Sequence, residues 1–319
     1  MANLGNTLRR ALLTAAIAIT GAIGALSASG YVHAQTLALV QINQQALFFN
    51  QLNDGAMRAA KAAGVELVIF NANNDPAAQN NAVETYIAQG VNGIIVVAID
   101  TNGIMPAVIQ AANAGIKVVA VDAILGDGPH VSQVGVNNYG AGQDIGATFL
   151  AYVDANLGGS AKIGIVGALN STIQNVRQVG FEDTIGANPK IEVVGVVDGR
   201  NVQDNALTAA ENLLTANPGM QAIYATGEPA LVGAVAAVIS QGAQDRVKVF
   251  GWDLTAQVID GIDAGFVQAV VQQDPAGMGA AAVDALVTVI NGGTVARVTD
   301  VPITIVTSEN VDDFRAIFQ

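Results

Sequence analysis

Short apolar runs alternate with helix-patterned segments along this chain, and the alternation is gone through twice. TLALV (36–40) precedes a helical stretch containing DGAMRAAKAAG. VELVIF leads to NNDPAAQNNAVETYIAQG, and GIIVVA leads to GIMPAVIQAANAG and then KVVAVD. Strands that are apolar without interruption belong to parallel sheets covered on both faces. Near residue 160 the order restarts: AKIGIVG, a helix through VRQVGFEDTIG, IEVVGVV, NVQDNALTAAENLLTAN, QAIYAT, a helix through ALVGAVAAVISQG, and VKVFGWD. DPAAQNNAVETYI and NVQDNALTAAENLL resemble each other. The economical fold is α/β, two similar doubly wound parallel-sheet lobes. The late segments AGFVQAVVQQDPAGMGAAAVDALVTVING and VPITIV add strand, helix and strand that carry the chain back across. Three hinge crossings follow, near Val136-Asn137, Gln273-Asp274 and Ile303-Thr304. The expected lobes are residues 35–136 plus 274–303 and residues 137–273 plus 304–319. Open α/β sheets bind ligands beyond the carboxyl ends of their strands, so the cleft between the lobes is the expected site.

The first 34 residues have a different character. Arg9 and Arg10 precede an uncharged apolar run over 11–26, and Val32-His33-Ala34 suits cleavage after a small residue. That three-part order is a secretory signal, and Gln35 is the expected mature start. The chain has no cysteine, which excludes disulfides, thiol chemistry and a lipid on an N-terminal Cys. The periplasm is the expected location, with the protein diffusing freely as a monomer. A formal charge of −13 argues against nucleic acid as a partner.

Catalytic patterns are lacking. His130, in the loop GDGPH, is the one histidine beyond the signal, and it reads as a solvated side chain. With no Cys and no second His, the usual zinc sites are not expected, and there is neither G-x-S-x-G nor a P-loop. YGAGQDIG misses G-x-G-x-x-G by a residue and reads as a tight strand-to-helix joint. Neither an enzyme nor a cofactor is expected.

Polar residues do stand where strands end. VVAVD ends in Asp122, VFGWD in Trp252-Asp253, and VVQQDP carries Gln272-Gln273. Asn43 follows the first strand, and Asn175 lies beyond GIVG on an opening helix. Each alone reads as a cap or turn residue. Together they converge on one cleft. Carboxylates accept hydrogen bonds and amides do both, which vicinal hydroxyls require. Phe48 and Phe49, set among Asn and Gln, offer ring faces to the C–H side of a sugar or polyol. No Arg or Lys cluster stands at these ends, so an anion is not expected.

TLALVQINQQALFFNQLNDGA, VVAVD, VRQVGF, NLLTANPGMQAIYA, VFGWD and VVQQDPAGMG stand in the order seen in a known family. From about Thr36 to its end the chain resembles the periplasmic sugar-binding proteins of ABC transporters, the ribose-binding type. The resemblance implies that Phe48 and Phe49 stack on a sugar and that Asp122 and Asp253 bind its hydroxyls from either lobe. It implies that Gln273 lies beside a hinge and that Trp252 walls the pocket. It places Asn175 where ribose binders carry an arginine. Ala123, Gly227 and Ala46 also depart from the ribose pattern, and Arg177 nearby is read as serving its helix. Asn43, Gln45 and Asn201 are candidate replacement donors. The implied ligand is a neutral monosaccharide or sugar alcohol, and the implied partner an ABC transporter permease. The alternative role is a periplasmic sugar sensor subunit for a chemoreceptor or histidine kinase.

Overall fold

The structure is a computed structural model that describes residues 35–44 and 46–318. The secretory signal expected over 1–34 lies outside the described residues. The first half runs β1 (Thr36–Gln41), α1 (Leu47–Ala63), β2 (Glu66–Asn71), α2 (Pro76–Gln89), β3 (Gly93–Val96), α3 (Met105–Asn113), β4 (Lys117–Val121) and β5 (Ser132–Gly135). The second runs α4 (Asn138–Asn156), β6 (Ala161–Gly167), α5 (Thr172–Ile185), β7 (Ile191–Asp198), α6 (Gln203–Ala216), β8 (Ala222–Ala225), α7 (Glu228–Ser240), β9 (Lys248–Trp252), α8 (Ala256–Asp263) and β10 (Val267–Gln272). α9 (Pro275–Ile290), β11 (Val298–Asp300) and β12 (Thr304–Val306) follow.

One sheet has the order β11-β5-β4-β3-β1-β2 and the other β12-β10-β9-β8-β6-β7. Position by position these are the same order, so the repeat read in the sequence is a repeat of topology. All pairings are parallel except β10 with β12. The chain passes between the sheets after β5, after β10 and between β11 and β12.

The continuous apolar strands serve both faces of each sheet, because successive side chains point to opposite sides. In β1, Leu37 and Leu39 join the cluster under α1 and α9, while Ala38 and Val40 join the cluster under α2 and α3. In β9, Phe250 and Trp252 face α4 and α5, and Val249 faces the opposite layer. Helix starts follow local chemistry. The Asp75 carboxylate accepts from the N–H groups of Ala77 and Ala78 at 2.8 and 3.2 Å, with Pro76 opening α2.

Each lobe seats the helix entered after a crossing against its first helix through glycines. A Cβ on Gly55 of α1 would lie 1.9 Å from the Ala276 carbonyl oxygen, and one on Gly279 of α9 would lie 2.1 Å from that of Leu52. A Cβ on Gly142 of α4 would lie 2.4 Å from the Arg177 oxygen, and one on Gly180 of α5 would lie 2.2 Å from that of Tyr139. This revises the reading of YGAGQDIG. Its glycines lie inside α4, where Gly142 lets α5 approach, and the turn into the helix is made by Asn137, whose side chain accepts from Gly140 N–H at 3.0 Å.

His130 also differs from expectation. It is 2% exposed, its carbonyl accepts from Arg297, and burial with the Arg297 charge holds its pKa below the usual value.

Candidate ligand-binding cleft

Six non-glycine residues among those described have left-handed backbone, and all lie just beyond strand carboxyl ends. Asn73 and Asn74 follow β2, and Arg200 and Asn201 follow its counterpart β7. Asp122 (φ 64°) follows β4 and Asp253 (φ 67°) follows its counterpart β9. Such conformations cost on the order of 1–3 kcal/mol each and concentrate at functional sites. Both aspartates are anchored alike: Asp122 N–H donates to Val134 O at 2.8 Å and Asp253 N–H to Val271 O at 2.9 Å. The turn they share aims one carboxylate from each lobe at the same space.

Arg177 occupies that space. It lies on the buried face of α5 with Phe181, and residues four apart on a helix share a face. Phe181 stacks on Tyr224 at 3.9 Å between centroids, and the Arg177 guanidinium lies 3.8 Å above the Trp252 ring. Trp252 Nε1 donates to the Tyr224 hydroxyl at 2.8 Å, tying the ends of β8 and β9 together beneath both. The fork of Arg177 donates to Asn138 Oδ1 at 2.8 Å, Thr226 O at 3.2 Å and Gln273 Oε1 at 3.3 Å. Its burial lowers its pKa, and the charges of Asp253 and Asp122 resist that.

Burial pushes the Asp122 carboxyl up to about 6; the Arg177 charge opposes this and the Asp253 charge adds to it. Burial likewise raises Asp253, against Arg177 and a 2.8 Å hydrogen bond from Gln273 Nε2. In the same lobe as Asp253, Glu228 opens α7 and lines a small cavity with Leu47 and Phe48; burial and Asp253 push its pKa up to about 7, against the backbone N–H groups of Leu47 and Phe48. Two carboxylates therefore flank one guanidinium, and a third, Glu228, lies beside Asp253. That balance repels anions and leaves acceptor capacity for hydroxyl groups.

The expected site residues are distributed as follows. Phe48 and Phe49 pack edge to face at 5.2 Å, nearly buried in the cluster under α1, and Phe48 lines a small cavity with Glu228 and Asp253. Asp122, Asp253 and Gln273 meet around Arg177. Trp252 is fully buried and supports the guanidinium. Asn43 donates to Asn74 at 3.0 Å and accepts from Ala46 N–H at 3.3 Å, shaping the loop into α1. Asn175 donates to Leu169 O at 3.1 Å, in the loop before its own helix.

Sequence reasoning undervalued Arg177, which holds the centre of the cleft as well as its helix. It also missed Glu228, Asn138 and Gln174. The signal for Gln174 was Gly227: a Cβ there would lie 2.8 Å from the Gln174 amide. The amide fills that space, accepting from Thr226 Oγ1 and donating to Asn201, both at 2.7 Å.

The fold and this paired-aspartate cleft define a class. Residues 37–294 match the family described as periplasmic binding protein domain, and the chain belongs to it. Within it, the chain is similar to the ribose import binding protein RbsB of Escherichia coli, 28% identical over 288 residues, covering 90% of this chain and 94% of the relative. A periplasmic solute binding protein from Actinobacillus succinogenes with bound D-allose superposes with a TM-score of 0.80 at 25% identity, covering 88% of this chain and 99% of that one. A solute binding protein from Mycobacterium smegmatis with bound glycerol gives 0.81 at 28%, covering 88% and 96%.

Proposed function

We propose that this chain is the exported solute-binding component of an ABC importer. It takes up a neutral monosaccharide or sugar alcohol in the periplasm and presents it, as a monomer, to a membrane permease. It performs no chemistry on the ligand. The observation that carries this is the pair of left-handed aspartates, one per lobe, converging on a single buried guanidinium. Among the described residues no hydrogen bond reaches the half-buried Asp122 carboxylate, so its oxygens keep acceptor capacity. Ligand hydroxyls are the donors that fit. In this reading the lobes are residues 35–136 plus 274–303 and residues 137–273 plus 304–319. They close about the three crossings, since only the closed state engages both aspartates. The relatives that take ribose, D-allose and glycerol fit the same class.

A thermal-shift screen over sugars, polyols, amino acids, nucleosides and sugar phosphates tests this, because a ligand bound by the native state alone raises Tm. A neutral sugar or polyol should raise Tm, and Asp122→Ala or Asp253→Ala should weaken binding roughly ten- to a hundredfold. A response confined to amino acids, nucleosides or phosphates would refute the reading.

A further inference from the structure

α1 begins without a cap of its own. Its N-cap is Ala46, which offers no side-chain oxygen, so the N–H groups of the first turn need acceptors from elsewhere. An acceptor stands on the opposite lobe: Glu228, the first residue of α7, lines one small cavity with Leu47 and Phe48, and their backbone N–H groups act on its carboxyl to lower its pKa. These N–H groups carry the positive end of the α1 dipole. Phe48 itself lines this cavity with Glu228, Asp253, Gln51 and Pro275. The contact thus joins the ring-bearing turn of one lobe to the other lobe, beside a site carboxylate. It can form only while the lobes are together.

We propose that Glu228 is a positioning residue of the cleft, an acceptor that caps α1 from the opposite lobe and thereby latches the lobes around the ligand. The latch sets how long the lobes stay closed and fixes the angle at which the Phe48–Phe49 pair meets the cleft. It rests on the reading of the chain as a hinged binding protein.

The carboxyl needs no negative charge for this work. Asp253 is the charged group acting on it, of the same sign, and α1 presents its first N–H groups and the neutral Gln51 to the same cavity. Burial, with the Asp253 charge adding to it, raises the Glu228 pKa from 4.5 to about 7, and parting the lobes would relieve the burial. Closure therefore takes up a proton between these values, and the latch weakens as pH rises through about 7. Glutamine keeps the acceptor and drops the titration.

The absence of cysteine allows two labels to be placed at will. Asn113→Cys in one lobe and Asp245→Cys in the other, both exposed, report lobe separation by single-molecule energy transfer without ligand. At pH 6, Glu228→Ala should open about tenfold faster than the parent, and Glu228→Gln should stay within about threefold of it. Raising the pH to 8 should speed opening in the parent and leave Glu228→Gln unchanged. Circular dichroism checks that each variant is folded. Opening rates in Glu228→Ala equal to the parent would overturn the latch, as would Glu228→Gln opening as fast as Glu228→Ala. D-ribose, D-allose and glycerol are then added to the parent. Failure of all three to bind would count against the transport reading, while the ligand-free rates still decide the latch.

Discussion

Replacing Arg177 by methionine tests the electrostatic account of the cleft. Methionine keeps the length of the stem and an apolar contact with Trp252, but removes the fork. Three acceptors lose a charged donor: Asn138 at 2.8 Å, Thr226 O at 3.2 Å and Gln273 at 3.3 Å. A stacking contact at 3.8 Å goes with them. Charged hydrogen bonds contribute about 1.5–3 kcal/mol each, but the freed groups partly find one another or water. The larger loss is that Asp253, buried, and Asp122, half-buried, are left without their compensating cation, for which about 3–5 kcal/mol is typical of buried pairs. At about 2–4 °C per kcal/mol, Tm should fall by roughly 6–20 °C at pH 7.5. Burial already holds both aspartates above their ordinary range, with Arg177 the opposing influence. Without it they protonate more readily, so the deficit should shrink to about half at pH 5. Calorimetry of parent and variant at the two pH values measures this. An equal deficit at both, or one below about 1 kcal/mol at pH 7.5, would show that Arg177 is merely packed there rather than neutralising the aspartates.

Two further outcomes follow from the same geometry. Asp122 binds its proton more tightly folded than unfolded, since its pKa rises from 3.8 to about 6. Its contribution to stability is therefore present below pH 4 and is lost as pH rises to about 6, by up to roughly 3 kcal/mol. The Tm of Asp122→Asn relative to the parent should rise over that window, and a constant difference would contradict the burial argument. Gly142→Ala should destabilise by more than about 2 kcal/mol in urea titration, although alanine is the better helix former by about 1 kcal/mol, because its methyl would meet the Arg177 carbonyl. A gain in stability would show that α4 can move away from α5 without cost.

The sequence by itself determined the architecture. Uninterrupted apolar strands need a sheet covered on both sides, and the repeated order of elements needs two such sheets. Helix entries such as Asp75-Pro76 were legible because capping is a local interaction. The elements that escaped the reading, β5, β11 and α8, are short, and their neighbours decide their state. SQVG and VTD are strands because other strands lie beside them. Asp122 and Asp253 were visible at strand ends and expected to meet at one cleft, but their left-handed turns and the guanidinium between them were not. Only the tertiary structure decided what Arg177 and Glu228 do. Each is addressed to a partner far away in sequence: Arg177 to Asn138, Thr226 and Gln273, and Glu228 to the uncapped start of α1. A charge or an acceptor acts over ångströms in space, and the chain order does not record those distances.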